Sequence, residues 1–428
     1  MKVATRIVPL MLVGANAAAF VQSTVPLRHL SAPVVADSAL IVSTPSVRPL
    51  SDGRAVILDP FHRRVLLLDT VLAHPKILVD SSGSTGVRYP STFGGLVRYL
   101  GDSTLFVDMD AQALVLFDPE AKVARTISFP IPKDLFKLTN TEETYTRPVT
   151  DPQGNIVYCV DRRRTRMQSD TGVPPSSTHD SAAIVRVNLG RRTLDTVTRH
   201  LYPYHVGNPV GTPVNPLPVT DDWTLLPDGT FAFVRGGDYH VEFLHPDGTM
   251  ISSPRLPFDW RRVTDDDKQR IRDSLLIVLQ RQSATRDSAA RARASSRREP
   301  GSGGRGAGVS ASGGGTGGGE LPAIMRPAPV PEPARVVDAS EMADYYPSIR
   351  PGSVTSDPEG NVWILPTTSV NAAGGLTYDL VNAKGVLVER VQLPPQRRLL
   401  ALGAHGVVYM LNATGGKPTL ERARIVRP

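Results

Sequence analysis

The chain has 428 residues, of which 40% are hydrophobic and 6% aromatic, with 36 Gly and 38 Pro. This length allows two or three ordinary domains or one large all-β domain of repeated units, and the abundant Gly and Pro suit short strands joined by tight turns. The formal net charge is +7, but residues 259–305 hold twelve Lys or Arg against seven Asp or Glu. Because this segment, Lys2 and Arg6 carry the surplus, the composition argues against a uniformly basic nucleic-acid-binding face.

The first residues have the pattern of a secretory signal. Lys2 and Arg6 form a positive n-region, residues 7–14 a short apolar h-region, and residues 15–19 a small-residue cleavage region. The apolar run is too short to span a bilayer, and no later stretch is long enough. A buried N-terminal strand is the alternative interpretation. We expect a signal peptide at residues 1–19, no transmembrane segment, and a secreted or periplasmic protein.

The sequence PDGTFAF at residues 227–233 combines an Asp-Gly turn with alternating apolar residues, which is a strong β-hairpin signal. Relatives of this pattern recur along the chain: SDGRAVIL from Ser51, GDSTLFVD from Gly101, PQGNIVYCVD from Pro152, PEGNVWIL from Pro358 and AHGVVYML from Ala404. Further strand patterns follow each hairpin. The sequence therefore predicts six repeats of up to four strands, A to D, with the short turn between strands A and B.

Six such repeats resemble the six-bladed β-propellers of the NHL and TolB-like kind. The resemblance implies an all-β fold of four-stranded antiparallel blades, with blades one to four in residues 38–258 and blades five and six in residues 347–428. One blade cannot bury both of its faces, whereas a ring of blades covers them. The sixth repeat is one strand short, and SALIVS at residues 38–43 is predicted to supply that outer strand and close the ring. Two β-sandwich domains, or five or seven blades, are the alternatives.

Residues 259–346 interrupt the repeat pattern. Thr264 and Asp267 form a near capping box, and apolar residues at helical spacing predict a helix over residues 264–296. Residues 300–320 contain eleven Gly and predict a disordered linker, and the Pro-rich residues 321–334 are expected to be extended. The predicted apolar stripe consists of Ile271, Leu275, Val278 and Leu279. We expect the helix to pack on the outside of the propeller; a partner-binding helix is the second interpretation.

Strand order assigns the loops to faces. If the short turns join strands A and B, then the B–C and D–A loops lie together on the opposite face. The long insertions all have these two connections: residues 133–145, 162–181, 200–220 and 259–346. Loops built on a rigid scaffold commonly carry function. The sequence therefore predicts the binding site at the channel mouth on the long-loop face.

Two sets of charged or polar residues are predicted at this mouth. Strand B ends at Asp59, Asp108, Asp161 and Arg235, with Thr367 and Asn412 in the last two repeats. Strand A begins near Arg48, Arg98, Arg147, Arg350 and Arg397. Because guanidinium groups bind carboxylates and phosphates in a bidentate manner, a ring of these arginines predicts a small polar or anionic ligand, such as a sugar acid or a peptide. The alternative is that these Arg and Asp side chains pair with one another.

Signatures of catalysis are largely missing from the sequence. It contains no G-x-S-x-G elbow, H-E-x-x-H motif, P-loop or EF-hand loop, and its His residues lack ligand spacing. Some propeller relatives are lactonases or lyases with a central metal, which Asp108, Asp161 and Asn412 could imitate only loosely. We therefore expect a monomeric, non-catalytic module that binds a protein or small ligand without metal, cofactor or nucleic acid. The alternative is a hydrolase or lyase with its site in the same channel mouth.

Overall fold

The computed structural model describes residues 25–38, 40, 46–89, 91, 93–139, 147–160, 181–201, 213–296, 335–371, 374–414 and 417–427. The predicted signal sequence, the Gly-rich segment and the Pro-rich segment lie outside these residues. The chain folds as a six-bladed β-propeller with four-stranded antiparallel blades, as the sequence predicts.

The first two strands among the described residues are short and pair with the last two blades. They are β1 (Leu27–His29) and β2 (Val34–Val35). The strands of blade one are β3 (Ser46–Pro49), β4 (Ala55–Asp59), β5 (Arg64–Leu68) and β6 (Lys76–Val79). Those of blade two are β7 (Gly94–Arg98), β8 (Thr104–Asp108), β9 (Ala113–Phe117) and β10 (Val123–Ser128). Those of blade three are β11 (Val149–Thr150), β12 (Ile156–Val160), β13 (Ser181–Asn188) and β14 (Thr193–Leu201).

The second half of the ring follows the same plan. The strands of blade four are β15 (Asp221–Leu225), β16 (Phe231–Arg235), β17 (His240–Leu244) and β18 (Met250–Ser252). Those of blade five are β19 (Val354–Ser356), β20 (Val362–Ile364), β21 (Thr377–Val381) and β22 (Leu387–Gln392). Those of blade six are β23 (Arg397–Gly403), β24 (Val407–Asn412) and β25 (Thr419–Arg424). Short 3-10 turns lie at Leu100–Asp102, Pro132–Leu138, Ala339–Glu341 and Thr367–Asn371.

The ring is closed by the N-terminal segment. Strand β2 pairs antiparallel with β25 and supplies the fourth strand of blade six. Strand β1 pairs in parallel with β22 and adds a fifth strand to blade five. The sequence predicts the closing strand at residues 38–43; the structure instead uses Val34–Val35, and Ser38 and Leu40 are turn residues outside any strand. Residues 39 and 41–43 of that prediction lie outside the described residues.

The hydrophobic core is divided among the six contacts between neighbouring blades. The interface of blades one and two, for example, contains Val56, Leu67, Phe106 and Phe117, all buried. Similar clusters fill the other five interfaces. Because a second-strand residue is covered on both faces, β8 is buried along its whole length, whereas the outer strand β10 is mostly exposed. Burial between blades explains the continuous apolar runs of the second and third strands.

The first strand of each blade lies innermost. Neighbouring first strands contact one another around the axis, as β3 does with β7 and β23, and β15 with β19. The predicted short turns follow these strands: the Leu226 N–H donates to the Thr230 carbonyl at 2.8 Å, and Gly229 occupies the left-handed region with φ of 90°. Glycine is suited to this position because it has no Cβ. The hairpin predicted at residues 227–233 is confirmed.

The insertion forms helix α1 (Asp265–Ser296), one residue shorter than predicted. Thr264 caps it, because its Oγ1 accepts the Asp267 N–H at 3.1 Å and the Asp267 carboxylate accepts the Thr264 N–H at 3.2 Å. The apolar side of α1 contacts loop segments, through the cluster Leu275, Leu276, Leu279, Val214, Val336, Val337 and Met342. Val278, predicted to pack, is 46% exposed. No helix among the described residues is long and apolar enough to cross a membrane.

Candidate functional site

The six innermost strands enclose a cavity of about 410 Å³. Residues of all six blades line it, chiefly the second half of each innermost strand and the A–B turn that follows. Its charged lining residues are Arg48, Arg98, Arg147, Asp102, Asp151, Asp222 and Asp357. A concave site with converging charged groups is where a small polar ligand is most readily held.

Two of the four aspartates stabilise turns. Asp151 and Asp357 open the sequences DPQGN and DPEGN, and each carboxylate accepts the N–H of the Asn at the end of its turn, at 2.9 and 2.8 Å. Asp357 also accepts the Trp363 Nε1–H at 3.0 Å. Local hydrogen bonds therefore occupy these carboxylates.

The third aspartate, Asp102, balances the positive charge of Arg48. The Arg48 Nη2 of blade one donates to the Asp102 Oδ1 of blade two at 2.9 Å. The other oxygen of Asp102 accepts from Ser51, at 2.8 Å from the N–H and 2.9 Å from the hydroxyl. Burial lowers the pKa of the Arg48 guanidinium, and the bond to Asp102 counteracts this effect. The pair therefore links two blades and leaves little free charge at this point.

Arg98 and Arg147 are arranged differently. Both side chains are exposed within the lining of the cavity, and neither lies within ion-pair distance of a carboxylate in the part of the chain that the structure describes. Arg147 reaches from blade three toward blade five, where its Nη2 lies 3.5 Å from the Gly352 carbonyl oxygen. Two uncompensated guanidinium groups in one cavity attract an anionic group.

Asp222 is the fourth aspartate and is 7% exposed. Its Oδ2 accepts the Val354 N–H of blade five at 2.9 Å, and its Oδ1 accepts the Trp223 N–H at 3.0 Å. Burial raises the pKa of Asp222 to about 7, although these backbone donors and the charge of Arg147 act in the opposite direction. A carboxyl group with this pKa exchanges protons near neutral pH and is a candidate general acid or base.

The cavity differs in position from the sequence prediction. Its lining includes the short turns at Ser51, Gly101, Pro152, Pro227, Pro358 and Ala404, so it lies toward the short-turn end of the channel. The long loops do join the strand ends at the other face, as predicted, but large parts of them lie outside the described residues. Of the predicted ring, the structure brings together Arg48, Arg98 and Arg147. The prediction of the face therefore does not hold for this cavity.

The residues at the ends of the second strands do not line the cavity, because the innermost strands separate them from the axis. Asp59 accepts from His62 and Arg64 within its own B–C turn, at 2.6 and 3.1 Å. Asp108 accepts the N–H groups of Asp110 and Ala111, each at 3.0 Å. These carboxylates stabilise turns.

The remaining second-strand positions are paired or undescribed. Arg235 forms ion pairs with Asp221 and Glu242, both at 2.6 Å. Asn412 donates to Glu421 at 2.8 Å, and Asp161 lies outside the described residues. The interpretation that Arg and Asp side chains pair with each other or with local groups therefore describes these residues better than a ligand ring.

Two predicted first-strand arginines also lie outside the cavity lining. Arg350 precedes β19 by four residues, and its backbone N–H donates to the Ser353 hydroxyl at 3.1 Å. Arg397 forms two contacts of 3.1 Å with Glu421. The five predicted arginines lie at different distances along the chain from the A–B turn of their blade. They therefore lie at different depths in the channel and cannot form one ring. The number of residues between each arginine and the following A–B turn sets this depth, and the sequence prediction does not take that number into account.

Asp222 and Asp102 are the site residues that the sequence prediction missed. A usable signal existed for Asp222, since the innermost strand of blade four, DDWTL, begins with two adjacent aspartates. Cys159 is a small buried side chain, 3% exposed, that packs near Ala182 and Trp223. Among the described residues, no three His, Cys, Asp or Glu side chains form a group that could hold a metal ion.

No protein-family model matches the sequence, and no curated protein gives a significant sequence match. Solved structures of similar shape include regucalcin, a calcium-binding protein from Agrobacterium tumefaciens, at 11% identity, 94% and 97% coverage of the two chains, and a TM-score of 0.37. A gluconolactonase from Xanthomonas campestris shows 10% identity, 94% and 99% coverage, and a TM-score of 0.36. Virginiamycin B lyase from Staphylococcus aureus shows 9% identity, 88% and 83% coverage, and a TM-score of 0.34. Similarity this low assigns no activity, and the strand pairing itself identifies the chain as a six-bladed β-propeller.

Proposed function

We propose that this protein is a binding module that holds a small anionic ligand, such as a sugar acid or the carboxylate of a peptide, in its central cavity. The observation that carries this proposal is the pair Arg98 and Arg147, which line the cavity without a carboxylate partner among the described residues. A carboxylate between them would form charge-assisted hydrogen bonds, which are about twice as strong as neutral ones. Arg48 helps to form the cavity wall but adds little net charge for the ligand, because its charge is balanced by Asp102.

Calorimetric titration with glucuronate, gluconate and a short acetylated peptide, with glucose as the neutral control, tests this proposal. We expect binding of at least one acid and none of glucose. Arg98→Gln and Arg147→Gln should each weaken binding by about tenfold or more, since a hydrogen bond to a charged group contributes about 1.5–3 kcal/mol. Arg125→Gln, which changes an exposed residue on the outer strand of blade two, is the matched control. Equal affinity in all three variants would contradict the proposal.

A hydrolase or lyase is the second candidate, and Asp222 is the observation that favours it. Its carboxyl group lies in the same cavity and has a pKa raised by burial to about 7, which suits a general acid or base. A base acting on water could open a lactone, and the product would be an acid of the kind that the arginines attract. Acid release from lactones, followed in a pH-stat, distinguishes the two candidates. Turnover that Asp222→Asn abolishes supports the enzyme; binding without turnover supports the module.

We also propose that the protein acts outside the cytoplasm as a monomer. The positive n-region, short apolar segment and small residues at positions 1–19 support export. N-terminal sequencing of protein recovered from the periplasm or medium should find a chain that begins near residue 20. Light scattering of the same sample should give the mass of one chain. Recovery of the uncleaved chain in the cytoplasm would contradict the proposed location.

A further inference from the structure

A second cavity, of about 320 Å³, lies where the ring closes between blades six and one. Its walls are the A–B turn of blade one, the A–B turn of blade six and the C–D turn of blade one at Thr70 and Val71. Val34 of the closing strand β2 also lines it. We call it the seam cavity. The two A–B turns separate it from the central cavity, so the two sites are neighbours with different charged residues.

The charge of the seam cavity is positive. Arg422 and Arg424 line it, and the described residues place no carboxylate within ion-pair distance of either guanidinium group. The single acidic residue in the described lining is Asp52, which is already paired with Arg54 at 2.5 Å. The lining also includes the exposed residue His405, whose imidazole can form a hydrogen bond, and Tyr409, which is fully buried. A small oxyanion therefore finds two uncompensated cations here.

Arg422 connects the three parts of the seam. Its backbone pairs with Val34 of the closing strand, and its Nη1 donates to the Thr70 carbonyl of blade one at 3.1 Å. Its Nε is buried and has no acceptor among the described residues. The neighbouring Tyr409 hydroxyl donates to the Gly53 carbonyl of blade one at 3.3 Å. A ligand that fixes Arg422 therefore acts on blade six, blade one and the closing strand together.

We propose that the seam cavity binds a small oxyanion, a carboxylate or a phosphate, through Arg422 and Arg424, and that this binding strengthens the closure of the ring. The site is separate from the proposed central site and does not depend on it. A ligand that binds the folded state alone raises stability by RT ln(1 + [L]/Kd). The stabilisation should therefore be strongest at the closing strand, where Val34 and Arg422 pair.

The experiment uses the full chain with inorganic phosphate and succinate as separate probes, in a buffer without other multivalent anions. Melting temperature and hydrogen exchange are measured as each probe is added. We expect a saturable rise in melting temperature with at least one probe, and at least threefold slower exchange in residues 27–36. Phosphate acting alone indicates a phosphate site, and succinate acting alone a carboxylate site. The protection of residues 27–36 should persist in Arg147→Gln and in the control Arg125→Gln.

Two variants test the assignment to the seam. Arg422→Gln should remove the protection of residues 27–36 by both probes. Since this variant also loses a bond to blade one, Arg424→Gln provides a second test at an exposed side chain, and we expect at least a threefold weaker response. The proposal is overturned if neither probe protects residues 27–36, if Arg424→Gln responds like the native chain, or if Arg147→Gln abolishes the response.

Discussion

The carboxylate of Asp222 in blade four accepts the backbone N–H of Val354 in blade five at 2.9 Å. This bond crosses the contact between two innermost strands that are separated in sequence by the 259–346 insertion. This hydrogen bond holds blade five against blade four at the wall of the central cavity. Its acceptor, the Asp222 carboxyl group, ionises near neutral pH. The stability of the ring is therefore coupled to pH at this contact.

Asp222 should make the protein less stable as the pH rises. Burial raises its pKa from 3.8 to about 7, so the folded state holds a proton that the unfolded state has released. The resulting stability is complete below about pH 4 and is lost as the pH rises through 7. In Asp222→Asn this loss should be absent, so the melting temperature of the variant relative to the native chain should increase between pH 4 and 7 by roughly 3 °C or more. Asp228→Asn, on an exposed turn, is the control, and a pH-independent difference for Asp222→Asn would contradict the argument.

The ion pair of Arg48 and Asp102 should stabilise the contact of blades one and two. Removing Asp102 leaves the buried Arg48 guanidinium without its carboxylate. We expect Asp102→Ala to lower the free energy of unfolding by about 3 kcal/mol, measured by urea denaturation. The double variant Arg48→Met with Asp102→Ala should recover part of this loss. Asp52→Ala breaks an exposed pair and should cost less than about 1 kcal/mol. Equal losses in Asp102→Ala and Asp52→Ala would show that burial does not matter here.

Thr264 should control the start of α1. Its hydroxyl and backbone exchange hydrogen bonds with Asp267, and an N-cap of this kind contributes about 1 kcal/mol. Thr264→Ala should speed hydrogen exchange in the first turns of α1 by about fivefold without changing the melting of the blades. Thr285→Ala removes a hydroxyl from the same helix away from its cap and should not have this effect. Unchanged hydrogen exchange in Thr264→Ala would mean that α1 is stabilised by its packing on the loop segments and not by its N-cap.

Three buried tyrosines should respond differently to loss of the hydroxyl. Tyr158 donates to Asp134 at 3.0 Å and Tyr239 to Asp379 at 2.7 Å. The Tyr89 hydroxyl is buried without a partner among the described residues. Tyr158→Phe and Tyr239→Phe should each cost about 1–3 kcal/mol, because a carboxylate loses its donor. Tyr89→Phe should be neutral or stabilising by about 1 kcal/mol, since it removes an unsatisfied polar group. A loss in Tyr89→Phe as large as in the other two would show that this hydroxyl does have a partner.

Deleting the closing strand should weaken the whole ring. A chain beginning at residue 25 keeps β1 and β2, whereas one beginning at residue 37 exposes the outer edges of blades five and six. Unpaired sheet edges associate with other chains. We expect the shorter chain to melt at least 5 °C lower and to form dimers or aggregates in size-exclusion chromatography. The longer chain should behave as the mature protein, and equal melting of both would mean that the ring does not need the N-terminal segment.

Most of the fold could be predicted from the sequence, because local signals repeat in every blade. The turn at Asp228-Gly229 requires a left-handed glycine, and the apolar runs of strands such as β8 require burial on both faces. The closing strand was misplaced by a few residues, since Val34–Val35 is too short to produce a pattern and is fixed only by pairing with β25. A two-residue strand gives no periodicity to detect.

The candidate site was predicted less completely. Residue type indicated arginines in the channel, and Arg48, Arg98 and Arg147 do line it. The depth of each arginine in the channel depends on how many residues separate it from the A–B turn. This number differs for Arg350 and Arg397, which therefore lie outside the cavity lining. The pKa of Asp222 depends on burial between two blades far apart in sequence. Properties of this kind arise from packing and have no local sequence signal.

The pairing of β1 and β2 with blades five and six has a consequence for the order of folding. Arg28 contacts Glu389 across 361 residues of chain, and β2 pairs with β25 near the other end of the sequence. Contacts of such long range form slowly, because a long loop must be closed before they are gained. During synthesis, blades one to four can fold as their strands emerge, but blade six cannot be completed until β25 has been made. The ring therefore closes as a final step, and an incomplete chain keeps an open edge on which a chaperone can act.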